Sequence, residues 1–251
     1  MSFYSSLKSD LYKFRHSPLL LIHFIVPVIG IVLFVWYYSF SPWSELDKLL
    51  AYIQILSVTF PVLIGIITSI LAESEQKAGA FQMLLSTATP KYVPHITKLI
   101  WLIIFGFCSS LLALVGFGIG FSLLGFTAFN IFFYIKTALL LSISVIPLYF
   151  LHYIMSFFIG GKGYSLGLGI IGSLLSALLL TGLGDGIWTF LPWGICGRFS
   201  EMLLLSSSRN IDFLQSDGMI QSMIFILIFI FLFLIALIFL SNKWEVKKSE
   251  D

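Results

Sequence analysis

Apolar runs without a single Asp, Glu, Lys or Arg occupy residues 16–44, 49–72, 99–135, 137–161, 163–184 and 218–242. A bilayer hydrocarbon core about 30 Å thick is crossed by roughly 20 apolar residues in a helix, so each run is long enough to span. A membrane barrel would instead show short segments of alternating hydrophobicity, and the sequence has none. The pattern predicts an all-α membrane protein with six transmembrane helices, organised as a single membrane domain over 1–251. Three polar stretches interrupt it: residues 1–16, 73–98 and 185–217.

In the first stretch, Phe3, Leu7, Leu11 and Phe14 recur at helical spacing, while Lys8, Lys13 and Arg15 lie off that stripe. This predicts an amphipathic helix over 1–16, lying along the inner membrane surface with its cations near lipid phosphates. The third stretch is a long outer connection between the fifth and sixth spans. Its Trp188, Phe190, Pro192 and Trp193 suit a re-entrant or interfacial segment with rings at headgroup depth. Within the spans, Pro27, Pro61 and Pro147 predict kinks. Small residues at 116–120 ("GFGIG"), and Gly163, Gly167, Gly172, Ser173 and Ala177, permit close helix contact, either between subunits or inside one bundle.

Composition agrees with this pattern. Of 251 residues 59% are hydrophobic and 10% charged, with mean hydropathy +1.02, against roughly a quarter charged in ordinary soluble chains. Ten of the fourteen basic residues fall on one side of the predicted spans and four on the other. The positive-inside rule then places both termini in the cytoplasm, and the localisation expected is multi-pass in the cell membrane. The first run is too long for a signal-peptide core and lacks a small-residue cleavage site, so it reads as a retained helix. A net charge of +2 says little about partners, and no nucleic acid is expected among them. Cys108 and Cys196 form neither a disulfide framework nor a metal spacing.

Three motifs suggest chemistry and are rejected. "GYSLG" (163–167) matches the serine-hydrolase G-x-S-x-G, but it opens a membrane helix rather than a strand–turn–helix elbow, and His152 has no matching acid. "GLGD" (182–185) would need a second intramembrane aspartate to share a proton, and no other acid lies in a span. "GGKGYS" (160–165) is not a complete phosphate loop. No enzyme activity, metal or cofactor of its own is expected. Spans without charge also argue against ion coupling, so energy would come from another subunit.

The second stretch, "ESEQKAGAFQMLLSTATPKYVPHITK" (73–98), holds Phe81, Leu84, Leu85 and Ala88 at i, i+3, i+4 and i+7, and Glu73 and Lys77 at i, i+4. These spacings predict a short amphipathic helix over 73–89 bridging the second and third spans, stopped by Pro90 and Pro94. Here the sequence resembles the first cytoplasmic loop of type-2 ABC exporter permeases: an acid (Glu73 or Glu75), a glycine (Gly79), Leu84-Leu85, Thr87-x-x-Pro90 and a downstream Lys98. The family carries Arg or Lys two or three residues past the proline, whereas this chain has Lys91 immediately after it. "SPLLLIHFIVPVIGIVLFVWYYSFSPWSE" (17–45) and "LGDGIWTFLPW" (183–193) resemble, more narrowly, lantibiotic-immunity permeases of Gram-positive bacteria.

The resemblance implies a coupling loop over 73–96 seated in a groove of a separate cytoplasmic ATPase, which would bind the ATP. Its contact residues would be Glu73, Glu75, Lys77, Gly79, Phe81, Leu84, Leu85 and Pro90. It further implies a second permease subunit, identical or different, and a cationic amphipathic peptide expelled for self-immunity. On the outer face Trp188, Trp193, Asp185 and Glu201 would meet that peptide. Two rival readings are an exporter of another amphipathic drug or lipid, and a membrane scaffold docking a soluble partner.

Overall fold

The computed structural model describes residues 3–15, 17–79, 81, 84, 89–159, 162–209 and 212–243, and these are helical with no strand among them. Helix α1 (Phe3–Arg15) is followed by α2 (Pro18–Tyr38), whose first turn is capped by Ser17 Oγ accepting from the Leu19 N–H at 3.2 Å. Helix α3 (Glu45–Lys77) begins at Ser44, which accepts from the Asp47 N–H at 3.2 Å. Helix α4 (Val93–Leu123) returns across the bundle. Then come α5 (Ile131–Ser144), α6 (Ile146–Ile154) and a π turn, Met155–Ile159. The break at Val145 places Pro147 in the first turn of α6, where its missing N–H costs nothing.

Helix α7 (Lys162–Leu179) leads into two short 3-10 turns, Gly182–Gly184 and Trp188–Phe190. Helix α8 (Pro192–Arg209), a turn at Phe213–Gln215 and α9 (Met219–Lys243) complete the described chain. Among the described residues, five stretches are long and apolar enough to cross a membrane: α2, α3, α4, the α5–α6 pair through Ile159, and α9. The sixth predicted run departs from its expected length. Its helix, α7, has 18 residues and so extends about 27 Å at ~1.5 Å per residue. The chain leaves it at Leu180, because Thr181 caps the following 3-10 turn by accepting from the Leu183 N–H.

Helix α3 has 33 residues, about 50 Å at ~1.5 Å each. It therefore outruns a hydrocarbon layer and carries its last turns, Glu73–Lys77, into the predicted bridging stretch. The separate helix expected over 73–89 does not begin at Glu73, since those residues are the end of α3.

Small residues serve internal packing. A Cβ on Gly116 or Gly120 would meet Ile31 or Val35 of α2, and one on Gly118 would meet the Tyr134 ring of α5. In α7, Gly169 meets Pro61 and Gly172 meets Trp193, while Gly163 and Gly167 face open space. Large apolar side chains remain exposed along α2 and α9, among them Phe24, Val32, Trp36, Leu227 and Phe231. Water would penalise such faces and lipid does not. Aromatic residues fill the core at the end remote from α1, with Tyr52 stacked on Phe117 at 3.8 Å between centroids.

Helix α1 departs from the expected stripe. Its buried edge is Ser6, Asp10 and Phe14, whereas Leu7 and Leu11 are half-buried and Phe3 is exposed. It packs mainly on α4, where the Trp101 indole N–H donates to the Leu7 carbonyl at 2.9 Å. Burial of an acid rotates the helix away from the face that apolar spacing alone selects.

Candidate functional site

The end of the bundle that carries α1 is where the chain turns from α3 into α4. Glu73 and Lys77 form a 3.0 Å ion pair on the outer side of α3, with the Lys77 side chain 76% exposed. Glu75 points the opposite way. Its Oε1 lies 3.0 Å from Lys98 Nζ and 3.2 Å from Lys13 Nζ, and only 6% of the residue is exposed. Beyond the helix end, Gly79 adopts φ +129° with open space where a side chain would stand. Phe81 holds the left-handed φ of 65°, a conformation a bulky residue adopts only when its surroundings enforce it. Its ring packs against Phe157 with 6.0 Å between centroids. Leu84 is buried in the core cluster at this end, and Pro90 is exposed. Leu85, Thr87 and Ala88 lie outside the described residues. Pro94 occupies the first turn of α4, where proline is accommodated.

One turn into α4 the structure buries a charge that spacing did not mark. Lys98 is 2% exposed and pairs with both Asp10 of α1 and Glu75 of α3. The second oxygen of Asp10 accepts from the Thr97 hydroxyl at 2.6 Å. Two acids and two lysines are thus balanced within one site. Dehydrated ions persist only when paired and hydrogen-bonded in this way. A cavity of about 300 Å³ opens beside them, lined in part by Asp10, Lys13, Ser17, Ser74, Glu75 and Lys98. One signal was present in the sequence: Asp10 is the acid four residues before Phe14 in an otherwise basic helix, on that residue's face.

The far end also differs from expectation. Arg198 of α8 donates to the carbonyls of Leu179 (2.9 Å) and Thr181 (2.7 Å) and to Asp185 Oδ1 (2.7 Å), with Glu201 at 3.9 Å. It staples the 3-10 turn to α8 and neutralises much of the acidity expected there. Burial lifts the Glu201 carboxyl above the usual glutamate range, against the pull of Arg198 and helped by Asp185. Asp185 is solvent-exposed. Trp188 is not on the surface: at 6% exposure it packs with Ile195, Phe199 and Met219. Trp193 is half-buried against Gly172. The rim beside Asp185 is instead Leu183, Ile187 and Phe190, all exposed. Lys48, one of the four basic residues on the outer side of the predicted spans, is buried, donates to the Tyr38 carbonyl at 3.1 Å and sits 4.2 Å over the Phe126 ring.

Ser165 of "GYSLG" and His152 do meet, with Nδ1 3.0 Å from Oγ, and Thr68 Oγ1 is equally close to that oxygen. Ser165 and His152 are fully buried on helices, and no carboxylate pairs with the ring among the described residues. This node joins α3, α6 and α7 as interhelical hydrogen bonding rather than as a nucleophile.

A family model described as "ABC-2 family transporter protein" matches residues 6–176, well over half of the chain. No curated protein and no solved structure matches significantly. The matched region runs from α1 through most of α7 and includes all four members of the buried ion cluster and the α3–α4 turn. This multi-pass helical chain belongs to the ABC-2 transporter family.

Proposed function

We propose that the chain is the membrane-spanning permease subunit of an ATP-driven exporter that expels a cationic amphipathic peptide of the lantibiotic kind from the cell membrane, giving self-immunity. The observation that carries this reading is the α3–α4 turn of an ABC-2 chain: an exposed Glu73–Lys77 pair and the Gly79–Phe81 turn, backed from inside by Glu75 and Lys98. ATP would be bound and hydrolysed by a separate cytoplasmic subunit seated on that turn, and closure of two such subunits would reach the spans through α3 and α4. Glu73, Lys77, Gly79 and Pro90 offer the accessible surface. Glu75, Phe81 and Leu84 support it from within, and Leu85 completes the Leu-Leu pair of the family's loop.

In this assignment α7 serves as a sixth, short span, both termini are cytoplasmic, and a second permease subunit completes the pathway. At the outer end, Asp185, exposed but paired with Arg198, lies beside the exposed Leu183, Ile187 and Phe190, an apolar rim that would meet an amphipathic cargo. Peptide export is favoured over drug or lipid export by the resemblance of 17–45 and 183–193 to lantibiotic-immunity permeases.

The test is co-purification with the cognate ATPase, comparing wild type with a Glu73→Lys/Lys77→Glu exchange that retains the internal i, i+4 pair while inverting the surface. Wild type is expected to retain the ATPase and the exchanged variant, still inserted, to lose it. If wild type binds no ATPase the exporter reading fails. Peptide sensitivity of cells lacking the chain then separates peptide export from other cargo.

A further inference from the structure

Helix α1 is fastened to the rest of the molecule by charge, at a place where charge is costly to bury. Asp10 reaches Lys98 of α4, Lys13 reaches Glu75 of α3, and Glu75 and Lys98 close the circuit between the two spans. All four groups come from the three elements that flank the α3–α4 turn. A helix that only rested on headgroups would keep its acid in water and its apolar stripe in lipid. Here the acid and Phe14 are turned inward, and the exposed side carries Tyr4, Lys8 and Arg15.

The two arms of the circuit are unequal. The Asp10–Lys98 arm is the more deeply buried, with side chains 7% and 3% exposed and Thr97 donating to the remaining Asp10 oxygen, although both residues also border the cavity. The Lys13–Glu75 arm is open: the Lys13 side chain is 39% exposed and borders the 300 Å³ cavity. If the ends of α3 and α4 shift relative to one another, the partly exposed Lys13 can exchange Glu75 for water, whereas Asp10 is held by both Lys98 and Thr97 of α4, the helix on which α1 mainly packs. Helix α1 must then travel with α4. It connects at once to α2, since the Ser17 N–H bonds the Phe14 carbonyl and the Ser17 side chain caps α2.

We infer that Asp10 and Lys98 are positioning residues for energy coupling, and that their ion pair makes α1 a lever carrying movement of the α3–α4 turn into α2. This rests on the exporter reading above, in which that turn receives the ATPase. The element is discrete, as transmission requires: one arm that stays closed and one that can open.

The experiment uses the full chain in lipid nanodiscs, alone and with its ATPase, as wild type, Asp10→Asn and Asp10→Glu. Three quantities are read: amide hydrogen exchange of residues 5–14, retention of the ATPase, and the change in ATP hydrolysis that the permease imposes on the ATPase. Asp10→Asn is expected to keep the ATPase bound, to speed α1 exchange by about tenfold or more, and to lose most of the hydrolysis response. Asp10→Glu, which keeps the charge, is expected to restore both. A wild-type hydrolysis response in Asp10→Asn overturns the lever, as does unchanged α1 exchange.

If Asp10→Asn does not accumulate, the double change Asp10→Asn/Lys98→Gln removes both charges together. It is expected to insert and bind the ATPase yet remain uncoupled, and full coupling in it overturns the inference. Absence of ATPase binding by wild type would remove the exporter reading and the lever with it. Fast α1 exchange in Asp10→Asn would then still show the ion pair acting as a fastening, so the two failures are distinguishable.

Discussion

Gly169 of α7 lies so close to Pro61 of α3 that a Cβ built on the glycine would stand 2.8 Å from the Pro61 carbonyl oxygen. Gly65 does the same in the reverse direction, facing the Ser165 carbonyl at 2.8 Å. Two backbones therefore meet at close range along the most extensive helix contact in the bundle. Where lipid replaces water, helices associate through such close packing and interhelical hydrogen bonds rather than through burial from water.

Substituting Gly169 should separate these helices. Neither neighbour at the contact is a flexible side-chain tip, so the backbones must move. Overpacking of this kind costs about 1–3 kcal/mol. Gly169→Leu is expected to lower the thermal midpoint in detergent, with Gly169→Ala intermediate. Gly167→Ala, at a position facing open space, should leave it unchanged. Equal effects at 167 and 169 would show that helix propensity, not contact, sets the result.

The buried ion cluster predicts strong non-additivity. Lys98→Met leaves two carboxylates facing one partly exposed lysine, and losing one partner of a buried pair costs about 3–5 kcal/mol. Removing Asp10 as well, in Asp10→Asn/Lys98→Met, should recover part of that loss, with a coupling energy of about 0.5–3 kcal/mol in a double-mutant cycle. Additive losses would mean that the two side chains do not interact.

Arg198 should act as a clamp rather than as a surface charge. It donates to two carbonyls and one carboxylate across the α7–α8 junction, and hydrogen bonds involving a charged group contribute about 1.5–3 kcal/mol. Arg198→Ala is expected to accelerate proteolysis within 181–190. Arg198→Lys should rescue it only in part, because an ammonium cannot reproduce the guanidinium fork.

Glu201 gives a pH dependence of defined sign. Burial raises its carboxyl above the usual range, so the folded chain holds that proton more tightly than the unfolded chain. The stability this contributes is present in acid and is lost as pH rises through the ordinary glutamate range and above it. Glu201→Gln removes the titration, so its midpoint minus that of wild type should grow with increasing pH. A difference that shrinks with pH would mean that Arg198, rather than burial, dominates this carboxyl.

Much of the architecture was legible in the chain. Long charge-free runs can only be helices in lipid, where every backbone N–H and C=O must be satisfied within its own segment. Those runs located five helices of spanning length and the apolar α7, and the Glu73–Lys77 spacing located an ion pair that the structure contains. The acid, glycine and leucine pattern around 73–90 pointed to the family that the comparison shows.

Other features depended on residues far apart in sequence. Helical spacing shows that Asp10 shares the face of Phe14 but not what it meets there, which is Lys98, 88 positions away. Trp188 was assigned to the outer surface by its chemistry, yet it is buried by neighbours that approach only when the bundle closes, as is Lys48. Run length likewise could not tell that Thr181 would cap a new turn and shorten the sixth helix. Local periodicity determines which elements can exist, because backbone hydrogen bonding and solvent preference act residue by residue. Which polar group is buried, and what satisfies it there, was decided only by tertiary structure, since a charge leaves water only where packing brings a partner to meet it.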